Sequence, residues 1–177
     1  MINPIPDDEK IIIFPINGFR MLELGNKKNS KGVYKDYFNS IGIEHISIDW
    51  NGEDGALNLD LRKPIKLDPF THVTNIGTTE HVTNQKAVWE NIHNLTDIDG
   101  VISSLTPLPG DWWWHGTWYP TEEFFYQFQQ NGYKIEYMAI GREHPNRNLC
   151  VRLRKVENCD FIMPDMNTFY INEWRPR

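Results

Sequence analysis

Two runs near the C-terminus, Tyr133–Ile140 (YKIEYMAI) and Asn148–Val156 (NLCVRLRKV), decide the fold class. Aliphatic, aromatic and β-branched residues dominate both, as they do in strands. Only Gly141–Arg147 joins them, too short for the crossover that a parallel pair requires, so the two must form an antiparallel hairpin. Everything before the hairpin reads differently. Strand-like runs alternate there with helical periodicities, the pattern of a parallel sheet covered by helices. The expectation is a three-layer α-β-α, Rossmann-like sheet, mostly parallel and finished by a C-terminal antiparallel hairpin.

Working back from the hairpin, Thr121 can cap a helix with Glu122 and Glu123 in its first turn, Phe124, Phe125 and Phe128 inward, and Gly132 as terminator. Val101–Leu105 is an apolar strand, and Val82, Val88, Trp89, Ile92 and Leu95 recur at helical spacing between Thr79 and Leu95. His72–Ile76, Ala56–Leu61 and Ile46–Trp50 read as further strands bounded by turn residues. Met21–Leu24 is the first strand, and Val33–Ile41 a helix ending at Gly42. The predicted organisation is an extension over 1–20, one α/β domain over 21–156 and a tail over 157–177. The tail's Phe161, Ile162, Met163, Phe169, Tyr170, Ile171 and Trp174 either pack back on the domain or reach a partner subunit, leaving a homo-oligomer open.

Composition narrows the function. With 177 residues, 40% hydrophobic and 13% aromatic, the chain suits one folded core. A formal charge of -6 argues against a binder of the phosphate backbone, and no apolar run has the length of a membrane span. Cys150 and Cys159 lack the spacing of a zinc site and read as reduced thiols, which suits a cytoplasmic protein. The six histidines are scattered along the chain, so no dedicated metal site is expected.

The ordered set Glu23-Leu24-Gly25, Ser47-Ile48-Asp49, Leu59-Asp60-Leu61, Asn75-Ile76-Gly77-Thr78-Thr79-Glu80-His81-Val82 and Gly132-Tyr133 resembles the class I, seven-stranded S-adenosylmethionine-dependent methyltransferases. The resemblance spans about Met21 to Val156. It implies a cofactor site of S-adenosylmethionine at the C-terminal strand ends, with Glu23, Gly25 and Asn26 in the first loop and Asn75 after the fourth strand. The usual glycine-rich loop has become Gly25-Asn26-Lys27-Lys28-Asn29, where Lys27 or Lys28 could pair with the cofactor carboxylate or remain a solvated charge. Asp49 is placed to accept hydrogen bonds from both ribose hydroxyls; its alternative is a turn ahead of Asn51-Gly52. Trp50 could lie against adenine and Asp60 hold the adenine amino group, although core packing and a turn would explain them equally.

The segment after the fourth strand faces methyl group and acceptor in that family, which makes His81, Glu80 and, from a later loop, His115 the catalytic candidates. Capping and surface hydrogen bonding are their plainer readings. The loop Pro107–Pro120 holds four of the seven tryptophans. Trp114, His115 and Tyr119 could roof an acceptor pocket, or the loop could be a hydrophobic plug. A small-molecule or sugar-type acceptor follows from the absence of an extra substrate domain. Two other readings stay open: a catalytically silent binding module on the same fold, and an oxidoreductase using NAD, which the missing G-x-G-x-x-G and the hairpin disfavour.

Overall fold

The computed structural model describes residues 20–29, 32–113, 115–142 and 146–172. The expected 1–20 extension therefore lies outside the described residues apart from Arg20, as does the tail beyond Asn172. In chain order the elements are β1 (Arg20–Leu24), β2 (Lys28–Asn29), β3 (Gly32–Val33), α1 (Tyr34–Ser40), β4 (Glu44–Asp49), β5 (Leu57–Asn58), β6 (Phe70–Ile76), α2 (Gln85–Leu95), β7 (Thr96–Pro107), β8 (Trp118–Pro120), α3 (Glu122–Tyr126), β9 (Tyr133–Arg142), β10 (Arg147–Lys155) and β11 (Phe169–Ile171).

Seven strands form one sheet in the order β5-β4-β1-β6-β7-β10-β9. β5, β4, β1, β6 and β7 pair in parallel, whereas β10 runs antiparallel to both β7 and β9. From β1 in the middle, the sheet winds outward through β4 and β5, returns to β6 and β7, and closes with the hairpin. β8 and β11 make a separate two-stranded sheet.

Alternation along the strands sorts the core into two layers. Leu22, Leu24, Ile48, Val73 and Ile102 pack with Val88, Trp89 and Ile92 of α2 and with Phe124, Phe125 and Phe128. On the other face Met21, Ile76, Leu105 and Cys150 meet Tyr34 and Phe38 of α1. Trp89 is ringed by Phe124, Phe125 and Phe128 at centroid distances of 4.9–5.8 Å, an edge-to-face cluster whose burial is worth about 1.5–3 kcal/mol per side chain.

Several sequence expectations shift. The third strand, expected over Ala56–Leu61, contracts to Leu57–Asn58 because Asp60 turns back on Arg62. The helix expected from Thr79 begins at Gln85, since the Asn84 side chain accepts from the Ala87 amide at 3.1 Å and caps it there; Thr79–His81 form a separate 3-10 turn. The Thr121 hydroxyl caps nothing: it donates to the Thr168 carbonyl at 2.7 Å and ties α3 to the tail. That tail packs back on its own domain, through Asn131 to Ile162 and through β11 on β8.

Candidate functional site

A cleft of about 830 Å³ opens at the C-terminal ends of β1, β4 and β6. Ligands of open α/β sheets collect at such an edge because loops from neighbouring strands converge there. Its two ends differ in chemistry.

The first end is the loop after β1. Gly25 sits at φ +72°, its amide donates to the Ile48 carbonyl at 2.8 Å, and a Cβ there would stand 2.5 Å from Thr78 Oγ1. Thr78 Oγ1 in turn donates to the Leu24 carbonyl at 2.6 Å. Both the backbone angle and the close approach of Thr78 therefore demand glycine. Beneath it Glu23 is fully buried, accepts from the Lys27 amide through Oε1 at 3.1 Å and has Oε2 3.4 Å from His45 Nε2. Glu23 thereby holds the loop and does not line the cleft. Burial pushes His45 down to about 4, so this imidazole is neutral at pH 7.

Asp49, at the end of β4, lines the cleft half-buried. Its Oδ2 accepts from the Asn26 amide and its Oδ1 from the Asn51 amide, each at 3.2 Å. The ribose and turn readings are thus compatible: each oxygen spends one acceptor position on backbone and keeps another, since a carboxylate offers about four. Trp50 stands beside it, 79% exposed, an unusual position for so large an apolar ring. Asp60 also lines the cleft, but Arg62 grips it through Nε at 2.9 Å, Nη2 at 3.0 Å and the backbone amide at 3.0 Å, which holds its carboxyl down at about 2. Lys28 reaches the rim with its ammonium on both Asp54 oxygens, at 3.1 and 2.9 Å, and is committed to that pair.

The second end gathers what the sequence scatters. Thr79–His81 turn over the end of β6, and the loop before β8 brings His115 against them. His115 Nε2 lies 3.4 Å and His81 Nε2 3.9 Å from Glu80 Oε1, and the two imidazoles meet edge to face at 4.7 Å. Glu80 is fully buried, yet neither of its carboxylate oxygens has a hydrogen-bond partner. The backbone holds it there: the Glu80 carbonyl accepts from Thr117 at 2.8 Å, and a Cβ on Gly116 would stand 2.4 Å from Glu80 Cγ. His81 is lowered mainly by burial, with Glu80 opposing and His115 adding to the shift. All three catalytic candidates therefore converge on one edge of the cleft.

Besides Glu23, two sequence-predicted site residues lie elsewhere. Asn75 is buried under the cleft, its amide donating to Thr79 Oγ1 and Ser104 Oγ at 2.9 Å and accepting from the Thr79 amide at 3.0 Å, so it shapes the turn carrying Glu80 instead of facing a ligand. Tyr119, expected in the acceptor roof, is fully buried; its hydroxyl donates to the Trp112 carbonyl at 2.8 Å and accepts from Asn172 at 3.1 Å. Trp114 lies outside the described residues. Trp112, another tryptophan of the Pro107–Pro120 loop, lines the cleft beside His115, its indole donating to the Arg147 carbonyl at 2.7 Å. Part of the tryptophan loop is thus fastened as packing and part borders the cleft. The sequence assigns no role to Thr78 or Gly116 individually, because their roles exist only through contact with Gly25 and Glu80.

The scatter of the histidines along the sequence does not carry over into space. His81 and His115 are distant in sequence but adjacent in space, with Glu80 between them.

No family model matches the sequence, and no curated protein does. Solved structures do match by fold. A 1,6-didemethyltoxoflavin-N1-methyltransferase of Burkholderia thailandensis, solved with S-adenosylhomocysteine, is 13% identical, with a TM-score of 0.62 over 78% of this chain and 72% of that one. An S-adenosylmethionine-dependent methyltransferase of Mesorhizobium loti is 13% identical, with a TM-score of 0.63 over 82% and 95%. A TehB-like S-adenosylmethionine-dependent methyltransferase of Corynebacterium glutamicum is 15% identical, with a TM-score of 0.57 over 84% and 86%. The chain has the fold of the class I methyltransferases, the one its sequence resembles. No helix among the described residues is long and apolar enough to cross a membrane.

Proposed function

We propose that the chain is an S-adenosylmethionine-dependent methyltransferase for a small-molecule or sugar-type acceptor. The observation that carries this is the pairing, across one cleft, of a half-free carboxylate at the end of β4 with a cluster of protonatable groups at the end of β6. The residues present fit the cofactor. Asp49 retains acceptor capacity for two ribose hydroxyls, Trp50 offers an open ring face, and Asn26 carries a buried amide oxygen without a hydrogen-bond partner, suited to a donor such as an ammonium. The bound cofactor would supply a methyl group on a sulfonium, poised for displacement. Asp49 and the Gly25 loop would fix its position. Glu80, His81 and His115 would border the acceptor and receive its proton as the acceptor lone pair forms the new bond to carbon and the carbon–sulfur pair withdraws to sulfur. The 830 Å³ of the cleft suits a cofactor and a small acceptor together.

A silent binding module is the second reading, favoured by a first loop with one glycine and a Lys28 already spent on Asp54. The nicotinamide reading loses its support, because β10 runs antiparallel where a parallel last strand would favour it. Calorimetric titration with S-adenosylmethionine and S-adenosylhomocysteine, with NADH as control, separates the three. Saturable binding of both sulfur compounds, weakened about a hundredfold or more in Asp49→Ala by loss of two bonds to a charged acceptor, is the expected result. Heat from NADH alone would reverse the reading; no heat from any of the three would leave the binding module.

A further inference from the structure

We propose that Glu80, His81 and His115 form a binding site for a divalent transition-metal ion, Zn²⁺ by the chemistry of its donors, at the acceptor edge of the cleft. The donors are one carboxylate and two imidazole nitrogens, all within 4.8 Å of one another. That is the two-histidine, one-carboxylate set that leaves coordination positions open. The spacing fits an ion better than a proton. A charge-assisted hydrogen bond would draw nitrogen and oxygen to roughly 2.7–2.9 Å. Ligands at roughly 2.0–2.2 Å from a common centre instead stand roughly 3.3–3.6 Å apart in a tetrahedron. His115 Nε2 to Glu80 Oε1 is 3.4 Å, and His81 Nε2 at 3.9 Å belongs to a half-exposed side chain able to close the remainder.

The independent observation is Glu80 itself. A fully buried carboxylate with no hydrogen-bond partner on either oxygen carries a large desolvation cost that a cation would offset. Its position is enforced: Gly116 gives way to its side chain, Thr117 holds its carbonyl, and Asn75 fixes the turn just before it. Such clamping is what a preorganised ligand needs. The open positions face the cleft, where an acceptor oxygen or water completes the shell. Binding of the ion stands apart from the methyltransferase reading; on that reading a held ion would replace its three ligands as the activating group, acidifying an acceptor hydroxyl whose proton then leaves to water, since a lone pair spent on metal cannot also take a proton.

The test is titration of the chelator-stripped full chain with Co²⁺, followed by its visible ligand-field absorption, and with Zn²⁺ by competition against bound Co²⁺. One equivalent of Co²⁺ is expected, displaced by Zn²⁺. Glu80→Gln should abolish the signal, and His115→Ala should weaken binding by roughly tenfold or more while leaving the far-ultraviolet dichroism unchanged. If Glu80→Gln fails to fold, His115→Ala carries the test. No Co²⁺ or Zn²⁺ binding by the native chain, or binding undiminished in a folded variant, overturns the site. S-adenosylmethionine titrated into the same samples reads the cofactor proposal separately: metal bound without cofactor would sink that proposal and keep this one, and the converse likewise.

Discussion

The two ends of the cleft are built on opposite principles. At the first, nearly every polar group is answered from within the protein: Glu23 by the Lys27 amide, Asp49 by two backbone amides, Asp60 by Arg62 and Lys28 by Asp54. Its shape is complete, and a ligand would take the spare acceptor positions of Asp49 and the unpartnered amide oxygen of Asn26. At the second, a buried carboxylate faces two imidazoles with its hydrogen bonds unmade. Holding a cofactor by its ribose hydroxyls and ammonium asks for a rigid cradle of acceptors, whereas chemistry or ion binding asks for groups held ready and unsatisfied. On the proposed function, recognition falls to the Gly25 end and reactivity to the Glu80 end.

The largest expected effects come from the glycine that each end depends on. Gly25→Ala places a Cβ at φ +72° and 2.5 Å from Thr78 Oγ1, forcing Thr78 off the Leu24 carbonyl. A loss of about 2–4 kcal/mol in stability by denaturant titration is expected, together with weaker cofactor binding. Gly116→Ala drives a methyl into Glu80 Cγ and the Glu80 carbonyl and should cost about 1–3 kcal/mol. It should spare cofactor affinity while removing metal binding and methyl transfer. If Gly116→Ala weakens the cofactor as much as Gly25→Ala does, the division of labour between the ends fails.

This asymmetry also explains what the sequence could tell. Hydrophobic periodicity and turn chemistry carry the fold class, since the short Gly141–Arg147 link can only make a hairpin and the residues before it alternate as βα units do. The position of Asp49 at the end of β4 was legible because a carboxylate closing an apolar strand is a local pattern. Where helix α2 starts was not, because the Asn84 cap competes with an apolar periodicity that runs on through Val82. Asn75 and Tyr119 misled for one physical reason: a polar side chain beside a site looks the same in sequence whether it faces the ligand or braces the loop. The convergence of Glu80, His81 and His115 is tertiary, made by the loop before β8 folding over the end of β6, and no spacing rule reports it.

A smaller effect tests whether acid sensitivity belongs to the core or to the site. His72 is fully buried, with Nε2 2.9 Å from Ser103 Oγ, and burial together with Arg152 and His45 pushes it down to about 3. Its folded pKa lies below the unfolded value near 6.5, so the unfolded chain binds the extra proton. Stability is therefore full above about pH 6.5 and falls as pH drops toward 3. His72 alone should contribute about 1.4 kcal/mol of loss at one pH unit below 6.5. In His72→Gln the denaturant midpoint should depend less on pH across 7.5 to 5.5 by that amount. An unchanged slope would move the acid sensitivity to the remaining histidines.

The smallest effect on stability, and the sharpest on the comparison, is at Trp50. With 79% of its surface exposed, its ring contributes little to folding, and Trp50→Ala should leave stability within about 0.5 kcal/mol of the native chain. Stacking of a bound aromatic base on such a ring is worth about 0.5–1.5 kcal/mol. Cofactor affinity should then fall roughly threefold to tenfold in Trp50→Ala, recover in Trp50→Phe and stay insensitive to occupation of the Glu80 end by a metal ion. A fall in stability with no change in affinity would make Trp50 a packing residue of the β4–β5 turn. The first end would then recognise a ligand through Asp49 and the Gly25 loop alone.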